Sequence, residues 1–512
     1  MKARAVLSLV SASLWANACA PTPVPKSGIQ PPAIAAPPRP DPEAWRTAQP
    51  PKGSPAKLAF TEPSQFVLKN GFHVYALPCK ASTLSLSTVV RHDARSIDGQ
   101  VPGLAALTAR MLSEGSKGYP DLALAEAIEG LGSDFSIHTG RDATTIGVEA
   151  LPSDLNAALS LLAEVVTRPQ FSPKAFDRVK AQWIDNVRDT LQDPRSLSSV
   201  IGFEALLGKE LGSPVHGYPE GIQELKREDI QRFHARAYTP AQAALAVVGD
   251  FDPKALEHLV EERFGKWKRT AVPKNEGRAL SAALPQGIQI LLLDRPGSPQ
   301  SALFAAQSLP PRREPGYAER ELLVTTFGGL FTSRLNLNLR EKKAYTYGAF
   351  GSYVATRNWG ALAISTSVET KYTADAIREI LQELRDLGSP TTPRPLGKAE
   401  VDRARADIVH SLVEHLGHTN RMVADLEQLF VHELPLNYFS GLAQEIQAAD
   451  LGALQHAAST LITPASLTIA VVGDRSSVEA PLHALGYPVK TLRDFASSSQ
   501  SRSISSQRAT GD

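Results

Sequence analysis

Cysteine is scarce: 512 residues contain Cys19 and Cys79 and no other. Two cysteines cannot build a disulfide framework. An excess of one charge is missing as well. Lys plus Arg number 54 and Asp plus Glu 53, a formal net charge of +1, so the chain carries no dominant footprint for nucleic acid or for an anionic membrane. After the N-terminal stretch no uninterrupted apolar run reaches the ~18 residues of a membrane-spanning helix. Aromatic residues make up 6%, which leaves most core building to aliphatic side chains. The length exceeds what one core can use, and about two to four domains are expected.

Residues 1–19 read as an export signal. Lys2 and Arg4 precede an apolar core at 5–15, and Ala16-Asn17-Ala18 leads into Cys19. Small residues before a cysteine, followed by a Pro-rich stretch, resemble a bacterial lipoprotein signal, with Cys19 lipidated. An ordinary secretory signal cut near the same place is the alternative. The resemblance implies an exported protein on the periplasmic face of an envelope membrane, touching the bilayer through its lipid anchor only. Ala20 stands where an Asp often retains such proteins at the inner membrane, which favours the outer one. Residues 20–60 are Pro-rich and suit an extended tether. Cys79 is then left as a lone thiol near a strand end, suited to packing.

A globular pattern begins near Pro63. Residues 65–77 read as two strands around an Asn70-Gly71 hairpin turn. Residues 84–90 form another strand, 103–112 and 119–131 form helices, and 135–149 alternates as strands. Long helices are expected at 156–166 and 172–191, and a short one at 230–237. Residues 239–250 then read TPAQAALAVVGD, and 463–474 read TPASLTIAVVGD. The offset is 463 − 239 = 224, without a gap inside the window. Such a period means domain duplication, not a solenoid. The expected organisation is a first half at 61–272, a linker at 273–284, a second half at 285–488 and a disordered tail at 489–512. Each half mixes strands with helix pairs, an α+β pattern.

The segment 327–347, FGGLFTSRLNLNLREKKAYTY, reads as a helix ending near Arg340, a Lys-rich turn and a strand opening near Thr346. Leu335 and Leu339 share one helical face, and Tyr347, Phe350 and Tyr353 belong to an aromatic, β-favouring run. A guanidinium and a phenol placed this way can both point at one oxygen, as an oxyanion-stabilising pair does. A cation is also favourable near any helix C-terminus, and a strand tyrosine can be half-buried packing.

Two similar halves, VVGD strand ends and the spacing SRL-x4-REK-x4-Y together resemble the pitrilysin/insulinase family of zinc peptidases, which includes the mitochondrial processing peptidase. The resemblance covers about residues 62–488. It implies two duplicated α/β sandwich domains forming half a clam shell. In active members one helix carries two zinc-binding histidines with a general-base glutamate between them, and a later glutamate completes the site. Here residues 103–112 read GLAALTARML. Ala106 and Arg110 stand at the histidine positions, Ala109 at the base, and Asn186 near the later ligand. The resemblance therefore implies no zinc bound by this chain. The family's cleft-lining edge strand matches 135–144, with Ser136 at a substrate-binding position and His138 turned outward to solvent. Arg340 and Tyr347 survive, and in the family this pair contacts the substrate carbonyl.

The sequence thus points to a catalytically silent subunit of a heteromeric zinc metallopeptidase. A homologous zinc-carrying subunit would be its partner and an extended peptide its substrate. The alternative is a peptide-binding or scaffold lipoprotein with no hydrolytic role. The His-rich stretch 410–418 does not offer a second metal site: His410 and His415 are five apart, about 140° around a helix. No nucleic-acid role is expected.

Overall fold

The computed structural model describes residues 60–92, 101–133, 135–270 and 287–492. Cys19, the 20–59 part of the tether, the whole 273–284 linker and the tail from 493 lie outside the described residues.

The first half opens with β1 (Ser64–Val67), β2 (His73–Pro78) and β3 (Leu84–Arg91), followed by α1 (Leu104–Met111) and α2 (Leu122–Gly130). Next come β4 (Phe135–Thr139), β5 (Ala143–Ala150), α3 (Leu155–Thr167), α4 (Pro173–Gln192) and α5 (Pro194–Gly212). Helices α6 (Pro219–Glu224) and α7 (Arg227–Ala237), strand β6 (Ala243–Gly249) and α8 (Pro253–Phe264) complete it. The second half begins with β7 (Gln289–Asp294), β8 (Gln300–Leu309), α9 (Tyr317–Val324) and α10 (Arg334–Asn336). It continues through β9 (Ala349–Ala355), β10 (Gly360–Glu369), α11 (Thr373–Gly388), α12 (Lys398–His415) and α13 (Thr419–His432). It closes with α14 (Tyr438–Ala448), α15 (Leu451–Leu461), β11 (Thr468–Gly473), α16 (Arg475–His483) and β12 (Val489–Leu492).

The duplicated strands β6 and β11 occupy the same place in two six-stranded mixed sheets, ordered β1-β2-β6-β3-β5-β4 and β12-β7-β11-β8-β10-β9. Val248 lies beside Leu77 and Ser85, and its repeat partner Val472 beside Leu293 and Ala302, so the register is the same in both. Even the strand ends agree. The Gly249 carbonyl accepts the Cys79 N–H at 2.8 Å, and the Gly473 carbonyl accepts the Arg295 N–H at 2.8 Å. Gly249 has φ 138, and a Cβ there would come within 2.8 Å of the Thr83 carbonyl, so only glycine fits this approach. The Asn70-Gly71 turn is present too. It is pinned by the Asn70 side chain, which donates to the carbonyls of Phe264 (2.8 Å) and Trp267 (3.1 Å).

Two features depart from the expectation. Strand β12 falls inside the stretch read as a disordered tail, where Val489–Leu492 pair in parallel with β7. The apolar 489 and 492 positions were too few to mark a strand. The Asp193-Pro194 break does end α4 but at once caps α5, since the Asp193 carboxylate accepts the Ser196 N–H at 2.8 Å. Pro at a first helical position is well tolerated there.

One face of each sheet packs on its own half's helices. The other face is covered by a helix from the opposite half. Helix α5 lays Leu197, Ile201, Leu206 and Leu207 on Phe304, Ala306 and Val472 of the second sheet. Helix α13 lays Val423, Leu426 and Phe430 on Tyr75, Val89 and Ala246 of the first. Around the rim of that exchange, Glu433 receives Arg91 from the first half and Arg313 and Arg357 from its own, at 2.7, 2.7 and 3.1 Å.

Candidate functional site

Helix α1 starts in a backbone turn that only glycine permits. Gly103 has φ 98, and a Cβ on it would lie 2.8 Å from the His216 carbonyl; a Cβ on Gly217 would meet the Pro102 carbonyl at 2.2 Å. The Trp183 indole of α4 donates to that same His216 carbonyl at 3.1 Å. Helix α1, helix α4 and the turn at 214–217 are thereby locked together around a cleft of 460 Å³. Ala106 and Ala109 form its floor, Arg110 and Ser113 continue the same helix face, and Phe135, Ile137 and Thr139 of β4 make one wall. His138 is exposed and reaches the same cleft.

This constellation does not fit zinc. Two methyl groups offer no lone pair, and a guanidinium is itself a cation with no acceptor. Arg110 is held at the helix end by Ser113 and by Glu114 at 3.8 Å, and Glu114 is shared with Arg178. Asn186 is exposed on α4, one turn beyond Trp183, and is not part of the cleft wall. His216 also lines the cleft, and burial, then the nearby Arg141 charge, lowers its pKa below the usual imidazole value. Among the described residues no group of three His, Cys, Asp or Glu side chains is placed to hold a metal.

Ser136 lies elsewhere. Strand alternation sends Phe135 and Ile137 toward the core below α1, so Ser136 faces the other side of the sheet. There it lines a second cleft of 500 Å³ with Ser85, Ser87, Thr145, Asn420 and Glu427, and its hydroxyl donates to the Gly147 carbonyl at 3.4 Å. Ser136, expected at a substrate-binding position on this edge strand, thus lines a different cleft from Ala106 and Arg110.

The segment carrying Arg340 and Tyr347 is less regular than its sequence suggests. Helix α9 passes into a π-turn over Thr325–Gly329, breaks at Leu330 (ψ 155), and restarts behind Ser333. A second π-turn runs through Leu337–Lys342, and β9 opens at Ala349, not Thr346. Arg340 therefore sits inside a π-turn and Tyr347 on a loop before the strand. Such turns gather at functional sites. The loop is tightly determined. Arg334 is 5% exposed; it donates through Nε to Glu400 at 2.6 Å and to the carbonyls of Arg394 and Pro395 at 2.7 and 2.6 Å. Asn336 accepts the Ala349 N–H at 3.1 Å, and Lys343 pairs with Glu379 at 2.7 Å. The Tyr345 ring stacks on Tyr372 at 4.3 Å.

Against that anchoring, Tyr347 is 92% exposed. The Arg340 guanidinium lies 4.0 Å from the centre of the Phe331 ring. Phe331, Leu337 and Phe350 are exposed in the same short stretch, an apolar grouping that the sequence reading did not single out. Alternation within the aromatic run could have revealed Phe350. Phe331 could not be found that way, because its exposure depends on the break at Leu330.

The remaining candidates are structural. His410 pairs with Glu414 at 3.3 Å on the surface, and His415 with Asp425 at 3.3 Å. Cys79 is half-buried, and burial together with Asp250 raises its thiol pKa, which argues against a reactive thiolate.

Comparison with known proteins adds two family matches. Residues 81–214 match the model described as "Insulinase (Peptidase family M16)", and residues 224–407 the one described as "Peptidase M16 inactive domain". A Mycobacterium leprae protein named an uncharacterized zinc protease is 24% identical over 68% of this chain and 77% of its own length. Bovine cytochrome b-c1 complex subunit 1 is 23% identical over 40% of this chain and 44% of its own. In structure, a Pseudomonas fluorescens protein described as a peptidase M16 inactive domain superposes with a TM-score of 0.73 at 23% identity, covering 81% of this chain and 98% of that one.

Proposed function

This chain belongs to the insulinase family, peptidase family M16, as a member without the family's zinc-binding residues, and we propose that it is the silent half of a two-chain zinc peptidase. The observation that carries this reading is the contrast between two helix ends. Ala106, Ala109 and Arg110 offer no metal ligand and no base, while Tyr347 stands almost wholly exposed on a loop that Arg334, Asn336 and Lys343 hold in place. An anchored loop that leaves a phenol in solvent suits a group that meets another chain.

In the proposed complex a homologous partner supplies the metal-activated water. This chain supplies two donors. The Arg340 guanidinium, which lies over the Phe331 ring, and the Tyr347 phenol would both donate to the carbonyl oxygen of the scissile peptide as it gains negative charge. Phe331, Leu337 and Phe350 would be covered on closure, which removes water from the site and strengthens those bonds. The similarity to a cytochrome b-c1 subunit, itself a component of a multi-chain complex by name, supports a subunit role. The lipoprotein-like signal ending at Cys19 supports a place on the periplasmic face of the envelope.

The test is turnover of a quenched-peptide library by this chain, by a zinc-motif homologue, and by the two mixed. Cleavage only in the mixture is expected. Tyr347→Phe should lower turnover of the mixture by about 10²–10³ while leaving the thermal melt unchanged. Undiminished turnover by that variant would remove the role assigned to Tyr347.

A further inference from the structure

The duplication gives the fold an internal control. Ser87 of β3 stands opposite Ala246, and Phe304 of β8 stands opposite Ala470. Ala246 and Ala470 correspond in the repeat of 224 residues, so Ser87 and Phe304 are counterparts. In the second half that position is filled. The Phe304 ring lies 4.9 Å from Phe203 of α5, and Phe203 lies 6.0 Å from Trp359. In the first half Ser87 fills nothing, and a cleft of 500 Å³ stands between α13 and the outer strands β5 and β4. That volume is within the range of ordinary ligand sites.

The floor is kept open by Gly147, which lies in register between Ser87 and Ser136. A Cβ on it would come within 2.7 Å of the Ser136 hydroxyl. Two neighbouring hydroxyls are engaged: Ser85 donates to Thr419 at 2.8 Å, and Ser133 accepts the Glu149 N–H at 3.1 Å. Ser87 is different. It is 2% exposed, and its Oγ has no hydrogen-bond partner among the described residues. Strand alternation places it with Ser85 and Val89 on the face toward α13, so the hydroxyl is aimed into the cleft. A buried hydroxyl left unpaired is costly, and a ligand atom would remove that cost.

The lining selects the ligand. It contains no Lys, no Arg and no aromatic ring, and its charged groups are Glu427 of α13 and Glu149 of β5. A cleft without a cation does not suit an anion. Glu427 is buried, which raises its pKa to about 7, and no cation balances it among the described residues. Ionising such a carboxyl is unfavourable until a positive group pairs with it. An ammonium group does so through short, charge-assisted hydrogen bonds, and its three donors can serve the Ser87 hydroxyl as well.

We propose that the cleft between α13 and the β5–β4 face binds a small organic ammonium ion, whose N–H groups donate to the Glu427 carboxylate and to the Ser87 hydroxyl. The ligand is a free small molecule and not the peptide substrate, and the site requires no partner chain.

The experiment uses the full chain and three probes of equal chain length, butylamine, butanol and butyrate, titrated at mildly alkaline pH and read by saturation-transfer NMR. Butylamine should bind saturably and roughly tenfold tighter than butanol, as expected for hydrogen bonds to a charged group, and butyrate should not bind. Glu427→Gln keeps the shape and removes the charge, so it should erase the preference for the amine. Ser87→Ala should weaken butylamine by a smaller factor and leave the order of the probes unchanged. Thermal melts of both variants verify that they are folded. Equal binding of amine and alcohol, a preference that survives Glu427→Gln, or no saturable binding of butylamine would overturn the proposal. Such a failure leaves the Tyr347 experiment standing, because that one reads turnover in the mixture.

Discussion

Helices α1 and α9 are counterparts: each follows the second long strand of its sheet and packs beneath the edge strand, β4 or β9. Their surroundings differ. Beneath β9 the space is filled. Arg320 is 3% exposed and donates to the Tyr353 hydroxyl at 2.8 Å and to the carbonyls of Pro315 and Glu314 at 2.7 and 2.6 Å. Tyr353 in turn donates to the Pro310 carbonyl at 2.6 Å, and Tyr317 packs against its ring at 5.5 Å. Beneath β4, Ala106 and Ala109 leave 460 Å³ open. The two sheets share order and register, so the backbone does not decide which half has a cleft. A few side chains on one helix face do. The second half instead turns outward, through the π-turns that present Arg340 and Tyr347.

This comparison can be broken first at Arg334. The outward loop of the second half depends on that buried guanidinium, whereas α1 is seated by the close approach of Gly103 to the His216 carbonyl. Arg334→Ala would leave Glu400 and two carbonyls without their partner, at a cost of about 3–5 kcal/mol. Urea unfolding should show that loss, and a change below ~1 kcal/mol would mean the loop is held by Asn336 and Lys343 instead.

A second test separates the two exchanged helices by pH. Helix α13 carries Glu427 against the first sheet, where burial pushes its pKa up to about 7, partly opposed by the nearby Ser87 hydroxyl. The folded value lies above the ordinary 4.5, so the folded state keeps a proton that the unfolded state releases. The contribution is present below about pH 4.5 and is lost as pH rises through about 7. Glu427→Gln should flatten this window and raise stability at its upper end by up to about 3 kcal/mol. Urea midpoints measured across the window check it; an unchanged slope would place the titrating group elsewhere.

The smallest effect sharpens the same contrast on α5. Gly202 sits where a Cβ would come 2.2 Å from the Phe304 ring. Gly202→Ala should therefore destabilise by about 1–3 kcal/mol through overpacking. In α14, by contrast, Gly441 has open space around its Cβ position, and Gly441→Ala should stabilise by roughly 0.5–1 kcal/mol through helix propensity. Thermal melts of the two variants should move in opposite directions; a matching shift would show that α5 does not press on the second sheet as closely as Phe304 implies.

Much of the fold was legible because its signals are local. Asn70-Gly71 names a turn, Ser172 and Pro173 start α4, and TPAQAALAVVGD repeated at 224 residues names one strand twice. The candidate site was legible in part. Ala106, Ala109 and Arg110 could be placed on one face from helical spacing alone. Which cleft Ser136 lines was not legible, because one residue of register in a strand selects the face. The exposed grouping of Phe331, Leu337 and Phe350 was missed, because exposure there follows from two π-turns that no helical period announces.

The sequence by itself determined that the chain is a duplication, that its strands end at Gly-Asp, and that its first helix cannot coordinate a metal, since each of these depends on residue identity at short range. Tertiary structure alone decided where the surplus apolar faces go. The stripe of α5, Leu197, Ile201 and Leu206, demands burial but names no partner, and the partner turns out to be the opposite half's sheet. Hydrophobic burial is non-directional, so a sequence can state that a face must be covered while only the assembled chain selects the surface that covers it.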